Sequence, residues 1–451
     1  MNRKHSIAVF ASLVWLARGT AALGAQEPPP KPPAPVSAPN DPSQPEPGTE
    51  PVIKVSLRDG VHFKSDDGNF DIILGGYVGI QYRAVAHRPD DNVRSSPDTW
   101  YIRQARPELS GIIYKDFDFR VQLDFPTGPA AIDGTLQDCY AGWRYYPEFS
   151  LRVGQFKEPF GQEETTPDRF LDFDERSEGD KFTPQRDIGA EAYGTISSGL
   201  LTYEVGWFNG QGRAVVAANK GKEEAGRVRV QPFVWSDDSF FLKGLRLGVA
   251  GTLASVQKNA INAFTSNTAY LNINYLTTAA VPPATNVLAG QRRRWGEELT
   301  WTAGPIGIRG EAWRRSDSVD TGSGPRRTIY TDAWSAQASW LITGEDKVEE
   351  SRVLPFHPFD PRSRTWGAVE VAARVDRVHI DDDIFSLGIA SPAGNANVVT
   401  GYSFGLNWYL TRNIRISPNL YWEVTDRPIA FAGGRIDAHF FGGILRFQLE
   451  F

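Results

Sequence analysis

The chain has 451 residues, of which 41% are hydrophobic and 12% aromatic, with a single cysteine and a formal net charge of −6. This hydrophobic and aromatic content excludes a largely disordered protein, and the single cysteine excludes a disulfide scaffold. The acidic balance gives no sign of a nucleic-acid partner. Beyond the first residues, no apolar run approaches the roughly 20 residues of a membrane-spanning helix. A large all-β protein, soluble or in an outer membrane, remains.

The N-terminus has the pattern of a secretory signal peptide. Arg3 and Lys4 precede an apolar stretch over residues 7–17, and small residues follow as far as Ala25. A basic start, a short apolar run and small residues at the exit are typical of such signals. A short buried helix is the weaker interpretation, because nothing amphipathic follows it. We expect residues 1–25 to be the signal peptide, with cleavage after Ala25 or near Ala21–Ala22.

Residues 26–51 are dominated by proline and have no apolar periodicity. Such a composition predicts an extended, solvated tether in the periplasm rather than a packed core. The tether could be a plain spacer or could bind a partner, and the composition favours the spacer. We expect the folded region to occupy residues 52–451.

Period-two alternation then continues to the end of the chain. In residues 116–125, DFDFRVQLDF, Phe117, Phe119 and Val121 share one face while Asp118 and Arg120 share the other. Strict alternation is typical of a strand that has one apolar and one polar face. The same pattern predicts sixteen strands, near residues 72–86, 100–113, 116–126, 137–147, 150–157, 188–197, 200–209, 226–235, 245–256, 294–303, 306–315, 331–343, 365–378, 401–410, 413–424 and 438–451.

The connections between these strands alternate between short and long, with one exception at residues 344–364. Transmembrane antiparallel β-barrels have short periplasmic turns and long outer loops. A soluble β-sandwich or a β-helix could share the period, but the apolar faces are rich in aromatics and the last strand ends on Phe451. The opposite faces carry charges of both signs, which a dry core disfavours. The sequence therefore predicts an all-β transmembrane antiparallel barrel of about 16 strands, in contact with outer-membrane lipid.

The polar strand faces are rich in arginine. A barrel of this size encloses an aqueous channel, and a row of arginines would offer repeated donor sites to anions. Alternatively, these arginines pair with acids such as Asp118, Asp124, Glu204 and Glu370 and stiffen the wall, and the residues do not choose between the two interpretations. The arginines on polar strand faces are Arg120, Arg152, Arg227, Arg229, Arg246, Arg309, Arg374, Arg415 and Arg446.

The connection over residues 158–187 is about thirty residues long, which makes it a candidate for a constriction folded into the lumen. Its acids outnumber its bases, and a lid on the surface is an equally good interpretation. The candidate constriction cations are Arg169, Arg176, Lys181 and Arg186.

Signals for catalysis or metal binding are poor. The chain has no GxSxG, HExxH or P-loop pattern, and the run Asp381–Asp383 lacks the spacing of a calcium loop. We expect no enzyme activity, no cofactor and no metal site. Two function classes remain open: a passive channel, whether anion-favouring or general and non-selective, and a structural or adhesive barrel with a closed lumen.

Several ordered segments resemble one known family. LRVGQFKEPFGQE (151–163), QRDIGAEAYG (185–194) and IRQARPELSGIIYKDFDFRVQLDF (102–125) are similar to segments of the phosphate-selective porin O/P family. Further segments are similar too: SWLITGED (339–346), WGAVEVAARV (366–375), GLNWYLTRNIRISPNLYW (405–422) and RFQLEF (446–451).

The resemblance implies a sixteen-stranded porin in the outer membrane of a Gram-negative-type envelope. It also implies a homotrimer that passes small anions such as phosphate or polyphosphate by diffusion. The paired arginines of that family near the constriction match Arg103 and Gln104 here, with Arg106 close by. One expected arginine is thus a glutamine, which lowers the expectation of phosphate selectivity but leaves the porin expectation intact.

Overall fold

The structure is a computed structural model that describes residues 53–56, 60–86, 98–127, 134–215, 221–260, 264–278, 287–320, 322, 325–430 and 436–451. All of them belong to one compact unit, residues 50–451. The predicted signal peptide (1–25) and tether (26–51) lie outside the described residues.

Sixteen long strands form a closed antiparallel barrel, which confirms the predicted fold. Each strand pairs with its neighbours along the chain, and the last strand pairs with the first, from Gly442 opposite Val85 to Glu450 opposite Tyr77. The barrel strands are β3 (Phe70–Val85), β4 (Thr99–Ile113), β5 (Phe117–Asp124), β6 (Thr135–Tyr146), β7 (Phe149–Lys157), β8 (Arg186–Ile196), β9 (Leu201–Phe208), β10 (Glu223–Val230), β11 (Arg246–Ala260), β14 (Val287–Ala303), β15 (Ile306–Asp320), β16 (Arg327–Leu341), β17 (Ala368–Ile380), β18 (Val398–Thr411), β19 (Ile414–Ala430) and β20 (Ile436–Glu450).

Four further short strands lie outside this ring. β1 (Ile53–Ser56) and β2 (Val61–Ser65) form a hairpin, and β2 pairs with the first residues of β3. β12 (Ser266–Asn267) and β13 (Asn274–Leu276) form a second small sheet within a long connection. The sequence pattern predicted neither pair, because each strand is too short to establish a period.

The burial pattern along the strands is the inverse of that in a soluble protein. On β17, Glu370, Arg374 and Asp376 are buried inside the barrel, whereas Val371 and Ala373 of the same strand are exposed outside. Successive strand residues face opposite sides of a sheet, so the alternation read from the sequence becomes a polar lumen and an apolar outer wall. This arrangement is typical of a barrel surrounded by lipid.

Exposed aromatic side chains form bands toward both ends of the barrel. Trp and Tyr are favoured where lipid headgroups meet the hydrocarbon, because one end of each ring is apolar and the other polar. The exposed aromatics near the tight turns include Tyr114, Tyr145, Tyr146, Phe149, Trp340 and Trp366, and those toward the other end include Trp100, Trp207, Trp295, Trp334, Trp422 and Phe441.

The two ends of the barrel differ in their connections. We call the end with the tight turns, such as Gly304-Pro305 and Arg412-Asn413, the turn end, and the opposite end the loop end. The predicted exception at 344–364 is confirmed, since residues 342–367 form a long connection at the turn end. A second exception was missed: the strand predicted over 226–235 ends at Val230, and turns follow over 231–245. Pro232, which has no N–H to donate to a strand ladder, explains the early end.

Helices are short. α1 covers Gln162–Thr165 and α2 covers Asp383–Ser386, and both lie in connections at the loop end. Among the described residues, no helix has the length and apolar character needed to cross a membrane.

Candidate channel constriction

The connection between β7 and β8, residues 158–185, folds into the barrel rather than over it. We call it the constriction loop. Glu175 of this loop forms an ion pair with Arg103 of β4 at 3.0 Å, and the hydroxyl of Ser417 on β19 donates to Asp174 at 2.6 Å. Two strands that are not neighbours in the barrel thus hold the same loop. The sequence left an inward constriction and a surface lid open, and the structure places the loop inside.

Three arginines of the C-terminal strands hold the backbone of the constriction loop. Arg415 donates to the carbonyl of Leu171 at 2.8 Å, and Arg374 donates to the carbonyl of Glu175 at 2.8 Å. Arg446 of β20 donates to the carbonyl of Asp174. Loop carbonyls removed from water need such donors, so these arginines anchor the loop. Arg374, which the sequence placed among the candidate anion-path residues, makes one of these anchoring contacts.

A phenylalanine of the constriction loop packs against the barrel wall at a glycine. Phe173 is almost fully buried, and a Cβ on Gly405 of β18 would meet its ring at 3.2 Å. The Arg374 guanidinium lies 4.5 Å from the centre of the same ring, a cation–π distance. The small residue in β18 therefore provides the space that this ring occupies.

A β-bulge turns two adjacent residues of β4 toward the lumen. The register with β3 shifts between Gly79 opposite Gln104 and Ile80 opposite Ile102, which leaves Arg103 as the extra residue. In a regular strand Arg103 and Gln104 would face opposite sides, whereas the bulge lets both bond to the constriction loop. Gln104 donates to Asp168 at 3.3 Å. Strict alternation of faces could not have predicted this arrangement.

Arg106, two residues further along β4, lies at the centre of a buried polar cluster. Its guanidinium donates to Asp124 of β5 at 2.7 Å, to Asp168 of the constriction loop at 2.5 Å and to the Tyr77 hydroxyl at 2.6 Å. Asp168 also accepts from Arg176 of its own loop. One loop carboxylate thus pairs with two guanidiniums.

A second connection from the loop end also packs into the barrel. We call residues 264–278, which contain β12 and β13, the outer-loop hairpin. Its Tyr270 stacks on Tyr421 of β19 with ring centres 4.5 Å apart, and the amides of Tyr270 and Leu271 donate to Glu423 at 2.9 and 3.0 Å. Sequence reasoning missed this insertion, although the apolar residues of AYLNINYL (269–276) were an available signal.

A third insertion comes from the turn end. We call residues 345–354 the turn-end segment. Its Lys347 pairs with Asp172 of the constriction loop and, at 2.5 Å, with Glu370 of β17. Its Glu349 pairs with Arg246 of β11. The segment therefore meets the constriction loop inside the lumen.

Beside these three insertions a cavity follows the wall made by β3 to β10, and we call it the passage. The described residues that line it are Tyr77, Arg106, Arg120, Gln122, Asp138, Tyr140, Arg152, Phe156, Lys157, Thr165, Pro167, Asp168, Arg169, Arg186, Glu204, Arg227, Arg229 and Glu350. Eight of these lining residues are basic and four are acidic, which leaves a formal excess of four positive charges. A second cavity at the turn end shares Arg120, Arg169 and Glu350 with the passage, so the two spaces adjoin.

Most of the lining arginines are paired. Arg120 bonds to Glu108 at 2.9 Å, Arg152 to Glu191 at 2.8 Å and Arg227 to Glu298 at 2.8 Å. The interpretation that lumen arginines pair with acids therefore holds for these residues. Within the part of the chain that the structure describes, no ion pair engages Arg169, Arg229 or Glu350.

The other arginines and the lysine that the sequence predicted for the anion path or the constriction make the following contacts. Arg103 bonds to Glu175, Arg246 lies beside the turn-end segment, and Arg309 lies opposite Gln337 in the β15–β16 pair. Arg176 pairs with acids of its own loop. Lys181 donates to the carbonyl of Asn267 in the outer-loop hairpin. Arg186 is the first residue of β8 rather than part of the constriction loop, and it pairs with Asp138 at 2.7 Å.

Burial and neighbouring charge shift the titration of the constriction loop. Burial acts to raise the pKa of Asp168, but Arg106 and Arg176 outweigh it and hold that pKa well below its ordinary range. Burial raises the pKa of Glu178, and the carboxylates of Glu423 and Asp376 raise it further. Burial lowers the pKa of Lys181 to about 8.

Comparison with known sequences gives two matches over most of the chain. The family model described as phosphate-selective porin O and P matches residues 74–430. Porin O of Pseudomonas aeruginosa is 24% identical over 454 aligned residues, which cover 95% of this chain and 95% of that protein.

Solved structures share the fold at low sequence identity. OprB of Pseudomonas putida, in a structure at high pH, gives a TM-score of 0.55 at 12% identity and covers 85% of this chain and 94% of its own. The outer-membrane channel DcaP of Acinetobacter baumannii gives 0.52 at 12% identity, with 86% and 99% covered. Both likenesses support the barrel architecture described above.

Proposed function

The chain belongs to the phosphate-selective porin O and P family and is therefore an outer-membrane porin, and we propose that its passage conducts small anions, including phosphate, by passive diffusion. The observation that carries this proposal is the charge of the passage. Its lining has an excess of basic residues, and Arg169 and Arg229 have no ion-pair partner among the described residues. Unpaired guanidiniums give a positive field that attracts anions.

The arrangement suits conduction better than retention. Arg169 and Arg229 come from different parts of the barrel, one from the constriction loop and one from β10, and each faces the passage. Conduction needs sites that are favourable enough to enter and weak enough to leave. Paired neighbours such as Arg120 and Arg227 contribute less net field than free ones.

Gln104 makes strict phosphate specificity the less favoured form of this function. The resemblance sets an arginine at this position, whereas the amide here donates to Asp168 at 3.3 Å. An amide offers a phosphate neither the charge nor the planar fork of a guanidinium. We therefore propose a pore that accepts phosphate among other small anions.

Reversal potentials of the purified full chain in planar bilayers, across a KCl gradient, test this proposal. The expected result is a potential of the sign that chloride permeation produces. Repeating the measurement with phosphate as the anion gives the relative permeability of the two anions. Cation preference would overturn the anion proposal, and an absence of conductance would favour the structural or adhesive barrel with a closed lumen.

Two further expectations belong to the same proposal. We propose that the porin is a homotrimer, as membership of the family implies, and the mass of the purified protein in detergent checks this. We also propose that residues 1–25 are removed on export and that residues 26–51 form a periplasmic tether. N-terminal sequencing of the mature protein identifies the cleavage site.

A further inference from the structure

The turn-end segment is held inside the lumen by ion pairs on both sides of Glu350. Glu349 pairs with Arg246 of β11, and its carboxylate also accepts from the Gln162 amide of the constriction loop at 2.9 Å. Arg352 bonds to Glu450 of β20 at 2.7 Å. Wall and loop contacts thus hold the side chains of Glu349, just before Glu350, and of Arg352, two residues after it.

Glu350 itself has an unfavourable backbone conformation. Its φ is +52°, in the left-handed region that residues with a Cβ seldom adopt. Such a conformation persists only where the surroundings impose it, and it is common at functional sites. Here the ion pairs of Glu349 and Arg352 hold the segment on both sides of this residue.

The Glu350 carboxylate lies where the passage meets the cavity at the turn end. Glu350, Arg120 and Arg169 are the lining residues that the two spaces have in common. The other acids that line the passage are all paired with bases: Asp138 with Arg186, Asp168 with Arg106, and Glu204 with Arg227. For Glu350, the described part of the chain supplies no such partner.

From this position we propose that Glu350 is a specificity-determining residue that weakens anion binding between Arg120 and Arg169 and so promotes anion release at the turn end. This inference rests on the proposed anion conduction. An anion that leaves the guanidiniums at this junction passes a fixed negative charge, which lowers its residence time. The carboxylate also lowers the electrostatic barrier that cations meet at this junction. This limits how strongly the pore selects anions.

Single-channel conductance of the full chain, measured against salt concentration with chloride and then phosphate, tests this role. In Glu350→Gln, anions bind more tightly, so conductance saturates at an anion concentration about threefold lower, the factor expected from one unit charge about 6 Å away in water. The ratio of anion to cation permeability rises by a similar factor. Glu350→Asn should give the same result, because asparagine tolerates the left-handed conformation.

Asp346→Asn is the matched control, since Asp346 lies in the same segment, is exposed and does not line the passage. It should leave saturation and permeability unchanged. Glu350→Asp, which keeps the charge, should resemble the wild type. If the wild type prefers anions but both neutral variants saturate as it does, the role of Glu350 is overturned and anion conduction stands. Cation preference of the wild type would overturn both.

Discussion

Arg106 of strand β4 donates to Asp168 of the constriction loop at 2.5 Å, directly at the lining of the passage. The same carboxylate accepts from Arg176, so its charge cancels part of the positive field of two guanidiniums. Electrostatics at this site therefore depends on a contact between residues 62 positions apart in the chain.

Asp168→Asn should raise the anion preference of the pore, because the amide keeps the shape of the side chain but removes its negative charge. We expect the ratio of anion to cation permeability, from reversal potentials, to rise about threefold. Breaking the buried pair should also cost about 3 kcal/mol of stability, measured by thermal unfolding in detergent. Glu163→Gln is the control, since Glu163 pairs with Arg374 away from the passage lining. An unchanged ratio in Asp168→Asn would count against the charge argument.

Arg229 and Arg227 are two residues apart on β10, yet they should respond differently to substitution. Arg229→Gln removes a charge that no ion pair engages among the described residues, and it should lower anion preference about threefold. Its thermal stability should stay within about 0.5 kcal/mol of the wild type. Arg227→Gln leaves Glu298 buried without its partner, at 2.8 Å in the native protein. We expect it to lower stability by about 3 kcal/mol. Equal stability of the two variants would contradict this distinction.

Gly401→Ala should displace the outer-loop hairpin. A Cβ at Gly401 of β18 would lie 2.7 Å from the Tyr270 ring, closer than side chains tolerate. We expect a loss of about 1–3 kcal/mol from overpacking, faster proteolysis within 264–278 and a larger single-channel conductance. Gly310→Ala is the control, because the nearest atom to its Cβ would lie at 3.8 Å. Identical proteolysis of both variants would show that the position of the Tyr270 ring does not depend on the space at Gly401.

The attachment of the outer-loop hairpin should depend on pH through Glu178. Its carboxylate accepts from the Ala269 amide at 2.9 Å and lies near Asp376, Glu423 and Lys181. Because its folded pKa is raised by burial and by the two carboxylates, its contribution to stability is full below the unfolded pKa of 4.5 and is lost as pH rises through the folded value. Lys181, whose pKa burial lowers to about 8, acts in the opposite direction as it loses its proton.

The range of about pH 5 to 7.5 lies below the pKa of Lys181 and therefore separates the titration of Glu178 from that of Lys181. Over this range we expect hydrogen exchange of the outer-loop hairpin to accelerate more in the wild type than in Glu178→Gln. Parallel exchange profiles for the two proteins would exclude Glu178 as the cause. Thermal unfolding of both over the same window gives an independent readout.

Much of the barrel architecture could be predicted from local sequence patterns. The alternation of Phe119 with Arg120 already gave the outward and inward faces of β5, because a strand repeats every two residues. The same rule failed at Arg103, where a bulge breaks the period. The alternation also did not predict where β10 ends. The strand ends at Val230 because Pro232 has no N–H for the strand ladder.

The sequence by itself determined that this chain forms a sixteen-stranded barrel with an apolar outside and an arginine-rich inside, since both follow from side-chain periodicity within single strands. Only the tertiary structure decided which arginines remain available to a solute. Arg374 meets Glu163 across 211 positions of the chain, whereas Arg229 has no ion pair in the described structure. Ion pairing depends on distances between segments that only folding brings together, and a local pattern contains no information about those distances.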